Sequence, residues 1–150
     1  MLLQLQVSVN EKPIHEMVTK IQCCFVENIV VKYETTGVVT SPDFPGDYPN
    51  DLEKTYTIKV EEELAVFLEF TAFNVEYSST CRYDHLTITD GDGTILMRKR
   101  CGTILPNKLT SRSNIVKLKF HTDASGGRAG WSLSWSAVTP GLKVGCNDSY

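Results

Sequence analysis

A chain of 150 residues, 41% of them hydrophobic, can bury one core and is hardly long enough for two. That hydrophobic content excludes disorder throughout, and a formal charge of −3 lacks the basic excess that nucleic-acid phosphates call for. No apolar run reaches the ~18 residues that a membrane-spanning helix needs.

Met1 to Asn10 does not read as a secretory signal. It has no basic start, Gln4 and Gln6 break its apolar stretch, and no small-residue cleavage site follows. Residues 1–33 read as an extension of mixed charge without a clean period, with Ile29-Val30-Val31 as one strand-like run. The sequence leaves open whether these residues are a native leader or whether a signal is missing from this version of the chain.

From Gly37 onward the pattern changes. Val38-Val39-Thr40 leads into Ser41–Asn50, where Pro42, Pro45 and Pro49 exclude both helix and central strand, so an ordered loop is expected. Period-2 runs follow: Tyr56, Ile58 and Val60; Val66, Leu68 and Phe70; Leu86 and Ile88; Val116, Leu118 and Phe120; Trp131, Leu133 and Trp135. One apolar and one polar face per strand is the pattern of antiparallel sheets, and many short strands between turn signals predict a sandwich or barrel. No segment carries an amphipathic-helix pattern.

Asp90-Gly91-Asp92-Gly93 is expected to be a hairpin turn in which Asp-Gly supplies positive φ. The competing reading, a calcium loop, lacks a Glu at the twelfth position. Arg98-Lys99-Arg100 reads as a solvated strand end rather than a phosphate or processing site. The five cysteines, Cys23, Cys24, Cys81, Cys101 and Cys146, leave at least one that cannot pair within the chain. Cys81 and Cys101 flank strand-like segments, and a disulfide between them would contribute about 3 kcal/mol by chain-entropy reasoning. Such a bond points to an oxidising compartment.

Nothing in the sequence supports catalysis. His85 and His121 have no third ligand at zinc-like spacing and read as surface residues, His121 on the polar face of its strand. The serines lack a nucleophile-elbow motif. Trp131 and Trp135 read as core rather than a sugar-stacking platform. Asn147-Asp148-Ser149 is a glycosylation sequon, with Asn147 as the acceptor.

Taken in order, several pieces resemble the CUB domain, an extracellular antiparallel β-sandwich of jelly-roll-like form. They are Ser41-Pro42-x-Phe44-Pro45-x-x-Tyr48-Pro49-Asn50, Phe70-x-x-Phe73-x-x-Glu76, Cys81-x-Tyr83-Asp84, Cys101-Gly102, Phe120-x-x-Asp123 and Gly130-Trp131-x-Leu133-x-Trp135. The resemblance spans about residues 34–138, leaving 139–150 as a tail or the start of a following domain. Members of the family commonly carry two disulfides, the first ending in Cys-x-Trp shortly after the Tyr-Pro-Asn turn. Here that position reads Lys54-Thr55-Tyr56, a loss similar to that in the first CUB modules of the complement-initiating serine proteases.

Glu76, Asp84 and Asp123 fall at or near predicted strand ends, where three carboxylates can converge. Their spacing alone is weak support for a metal. The resemblance implies calcium held by Glu76, Asp84, Asp123 and backbone oxygens near Ser125 and Gly126, with Tyr48 bracing the site. It further implies that a lysine of a protein partner is captured by Glu76, Asp123 and Ser125, since a compact ammonium suits preorganised oxygens.

The expectation is a non-catalytic, calcium-dependent module of a secreted protein or ectodomain. It would bind a lysine-presenting protein or mediate assembly with itself or other chains, without nucleic acid and without a membrane span. The alternatives are a carbohydrate-binding secreted protein of the spermadhesin kind and a spacer with no ligand.

Overall fold

The computed structural model describes residues 35–141. The expectations for residues 1–33, Cys23, Cys24, Cys146 and Asn147 lie outside them. Among the described residues there is no helix, and the strands form two four-stranded antiparallel sheets. One sheet runs β1 (Thr36–Thr40), β8 (Gly130–Val138), β3 (Ala65–Asn74), β6 (Leu109–Thr110). The other runs β2 (Glu53–Lys59), β7 (Ile115–His121), β4 (His85–Asp90), β5 (Ile95–Arg100). The predicted antiparallel β-sandwich is the fold.

The period-2 pattern decides which face of each strand turns inward. Ile58, Leu86, Ile88, Val116, Leu118, Phe120, Trp131 and Leu133 are all buried, while Lys117 and Lys119 between them are exposed. Along β3 the inward series Val66, Leu68, Phe70 would continue to residues 72 and 74. Instead the register shifts between Phe70 and Ala72, so Phe73 and Val75 are the buried residues. One extra residue in a strand exchanges its faces, and period-2 reading alone does not announce it.

The middle of the core is aromatic. Phe120 stands edge-on to Trp131 at 5.8 Å and to Tyr48 at 5.1 Å, and Tyr56 edge-on to Trp131 at 5.4 Å. Such pairs add about 0.5–1.5 kcal/mol beyond area burial. Trp131 is fully buried and Trp135 half-buried, so both belong to the core.

Tyr56 Oη and Trp131 Nε1 are buried without a hydrogen-bond partner. Removing an unpaired buried hydroxyl relieves its desolvation cost, so Tyr56→Phe should stabilise the fold by about 1 kcal/mol in urea unfolding. A loss of stability instead would mean that the hydroxyl has a partner.

The expected turn joins β4 to β5, and of its two Asp-Gly pairs it is Asp92-Gly93 that supplies the positive φ. Positive φ falls on Gly93 (90°) and not on Gly91. The loop is closed by Gly93 N–H donating to Asp90 O at 3.0 Å and Asp90 N–H donating to Thr94 O at 2.8 Å. Asp90 itself is buried. The Cys81–Cys101 disulfide is formed, with Cα atoms 5.5 Å apart.

Candidate functional site

Three strand ends meet at one end of the sandwich, and they come from both sheets. Glu76 lies two residues beyond β3, Asp84 immediately precedes β4, and Asp123 lies two residues beyond β7. β4 and β7 are paired antiparallel with His85 opposite His121, which sets Asp84 beside the segment carrying Asp123. Glu76 is steadied from the other side, because Val75 and Gly102 exchange backbone hydrogen bonds of 3.0 and 2.8 Å. Gly102 follows the disulfide-bonded Cys101. The bridge between Cys81 and Cys101 therefore anchors the strand end that presents Glu76.

The carboxylates of Glu76, Asp84 and Asp123 each bring an oxygen within 4.8 Å of the others. Asp84 is fully buried. Its Oδ2 accepts from Tyr48 Oη at 2.6 Å and its Oδ1 from Asp123 N–H at 2.8 Å. Tyr48 Oη in turn accepts from Glu76 N–H at 2.9 Å. One hydroxyl from the loop between β1 and β2 thus ties the Glu76 and Asp84 segments together, and the Asp84 carboxylate brings the Asp123 segment into the same frame. Burial, and then the bond to Asp84, push the Tyr48 hydroxyl above its ordinary pKa and keep it a donor.

Among the described residues no Lys, Arg or His forms an ion pair with any of the three carboxylates. Like charges this close, one of them desolvated, call for a neutralising cation. Oxygens bound to one calcium at 2.3–2.6 Å lie within about 5 Å of each other, and the observed cluster meets that limit. The donor set, hard oxygens only, fits such an ion.

Ser125 and Gly126 follow Asp123 on the same loop. Ser125 N–H donates to Asp123 Oδ1 at 3.0 Å. Gly126 has φ of 86°, and a Cβ there would fall onto the Glu76 carboxylate. The loop can approach Glu76 only because this residue is glycine. The Gly126 carbonyl accepts from Arg128 Nη1 at 2.8 Å, and the Gly127 carbonyl from the same nitrogen at 3.0 Å. Sequence reading missed Arg128, which has no motif or period to mark it. It also missed Thr122, buried between Pro49 O and Leu52 N–H (both 2.9 Å), which holds the Tyr48 loop against the Asp123 segment.

The CUB domain family model matches residues 27–135. The chain belongs to the CUB domain family. It is 37% identical over 115 residues to human cubilin, covering 75% of this chain and 3% of cubilin. It is 39% identical over 108 residues to human mannan-binding lectin serine protease 1, covering 70% of this chain and 15% of the protease. The chain thus spans a small part of these relatives. The structure of the MASP-1 CUB2 domain bound to Ca2+ superposes with a TM-score of 0.64 at 34% identity, covering 69% of this chain and 94% of that one. CUB modules are non-catalytic binding modules, and the homologues are extracellular or ectodomain proteins.

Two features of this CUB domain sit outside the acidic cluster. On β2, Lys54 Nζ lies over the Tyr56 ring, 5.0 Å from its centre. The histidines, expected at the surface, are brought together by the strand pairing. Their rings are 4.9 Å apart, and His121 Nδ1 donates to the Glu53 carboxylate. Both are half-buried, because antiparallel register places them opposite each other. Burial, and then the Lys99 ammonium, hold His85 below the ordinary imidazole pKa.

Proposed function

We propose that residues 34–138 form a calcium-dependent protein-binding module. Glu76, Asp84 and Asp123 would hold the ion, with backbone oxygens near Ser125 and Gly126 completing its shell. The observation that carries this reading is the buried, hydrogen-bonded carboxylate of Asp84 beside two further carboxylates with no cationic partner among the described residues. The calcium-bound CUB2 relative supports it. Calcium would fix the Glu76 and Asp123 oxygens so that, with the Ser125 hydroxyl, they receive a lysine ammonium of a protein partner in an extracellular setting. Tyr48 keeps the frame rigid, so little reorganisation is needed on binding.

Extracellular calcium modules bind with Kd of about 10⁻⁴–10⁻³ M, so near-millimolar calcium should add about 1 kcal/mol of stability. That corresponds to a rise of about 4 °C or more in Tm for a domain of this size. The rise should vanish with chelator and in Asp123→Ala, and no shift in the wild type would refute the calcium site. Immobilised poly-L-lysine tests the capture separately. Retention should need calcium, and retention indifferent to chelator would remove the lysine reading while leaving the calcium site standing.

A further inference from the structure

The outer face of the β2-β7-β4-β5 sheet is cationic, although the chain as a whole is acidic. Its inward positions are taken by Tyr56, Ile58, Leu86, Ile88, Leu118 and Phe120, so the residues between them point outward. Register places Lys119 between Thr55 on β2 and Thr87 on β4, and Lys117 between Thr57 and Thr89. Lys59 continues the outward row of β2. Arg98, Lys99 and Arg100 are exposed along the open edge at β5, with Lys99 near enough to act on the charge of His85. The acid on this face of the strands is Glu53, which pairs with His121 and, at 3.7 Å, with Lys119. Glu61, Glu62, Glu63 and Asp92 bound the face at one end, where the chain turns from β2 to β3 and from β4 to β5.

We propose that this face binds a sulfated polysaccharide chain. Side chains two apart on a strand repeat about every 7 Å, which gives a regular row of ammonium groups along a flat surface. Thr55, Thr57, Thr87 and Thr89 flank that row with hydroxyl donors for sulfate oxygens and sugar hydroxyls. Tyr56 and Phe120 of these strands point into the core, and the imidazoles of His85 and His121 are half-buried against each other at one end of the face, which leaves nucleobases little to stack on. The one large apolar side chain exposed on these strands is Ile95, too little to enter a lipid surface. A linear, densely charged, hydroxyl-rich polyanion is the partner that matches.

The full chain should be retained on immobilised heparin at about 0.15 M NaCl, near physiological ionic strength. In Lys117→Ala/Lys119→Ala, the slope of log affinity against log salt should fall by roughly two, about one per lysine. Lys117→Arg/Lys119→Arg should restore the wild-type slope, which separates lost charge from lost folding. Chelator should leave retention unchanged, which separates this face from the acidic site. No retention of the wild type, an unchanged slope in the double alanine variant, or release by chelator would each overturn the proposal. Equal retention on immobilised duplex DNA or by anionic phospholipid vesicles would overturn the assignment to a sulfated polysaccharide.

Discussion

Asp84→Ala should lower stability by about 3 kcal/mol even with calcium chelated, because it strands two donors. The Tyr48 hydroxyl and the Asp123 N–H both end on this carboxylate, which is fully buried. Each orphaned donor costs about 1–3 kcal/mol, and relief of repulsion among the acids returns part of that. Asp123→Ala makes the informative contrast. Its carboxylate accepts from the N–H of Ser125, an exposed residue where water can substitute. It should abolish calcium-dependent stabilisation while changing chelated stability by less than about 1 kcal/mol. Urea unfolding with and without chelator reads both quantities. Equal losses for the two variants in chelator would show that Asp84 has no structural role of its own.

The second large effect lies at the opposite end of β4. Asp90 is buried and accepts from the backbone N–H groups of Arg112 (2.7 Å), Gly91 (3.0 Å) and Ser113 (3.2 Å), and from the Ser113 hydroxyl. Burial pushes its carboxyl pKa up, but these hydrogen bonds outweigh burial and hold it below its ordinary value. Asp90→Ala leaves several N–H groups unpaired and should cost about 3–5 kcal/mol in denaturant unfolding. A folded pKa below the unfolded one gives stability that is complete above the unfolded value, near 3.9, and is lost as pH falls through the folded value. Wild-type stability should therefore drop more steeply than that of Asp90→Asn as pH falls below about 4. Parallel profiles would show that the carboxylate contributes nothing through its charge.

The contrast between Asp84 and Asp90 shows what was legible beforehand. Alternation along Val116–Phe120 and Trp131–Trp135 revealed the sandwich, since one-sided burial writes period two directly into a strand. The acidic triad was legible through ordered motifs, because strand ends are local features and each acid sits beside one. Asp90 looked like a turn residue because its partners, Arg112 and Ser113, approach from another part of the chain. The β3 bulge was invisible for a related reason, since Phe70 and Phe73 look the same whichever way Thr71 is accommodated. The lysine face escaped notice because Lys59, Lys99, Lys117 and Lys119 become neighbours only through pairing. Arg98-Lys99-Arg100 alone read as a solvated strand end.

Strand order has a consequence for how the domain is made. β8 closes the described fold, yet it lies between β1 and β3 and pairs with both. A growing polypeptide thus holds Thr36–Thr40 and Ala65–Asn74 with no shared neighbour until Gly130–Val138 has left the ribosome. Until then the apolar side of the first sheet lacks Trp131 and Leu133. Nascent chains stopped short of β8 carry open strand edges and are the form that chaperones must shield.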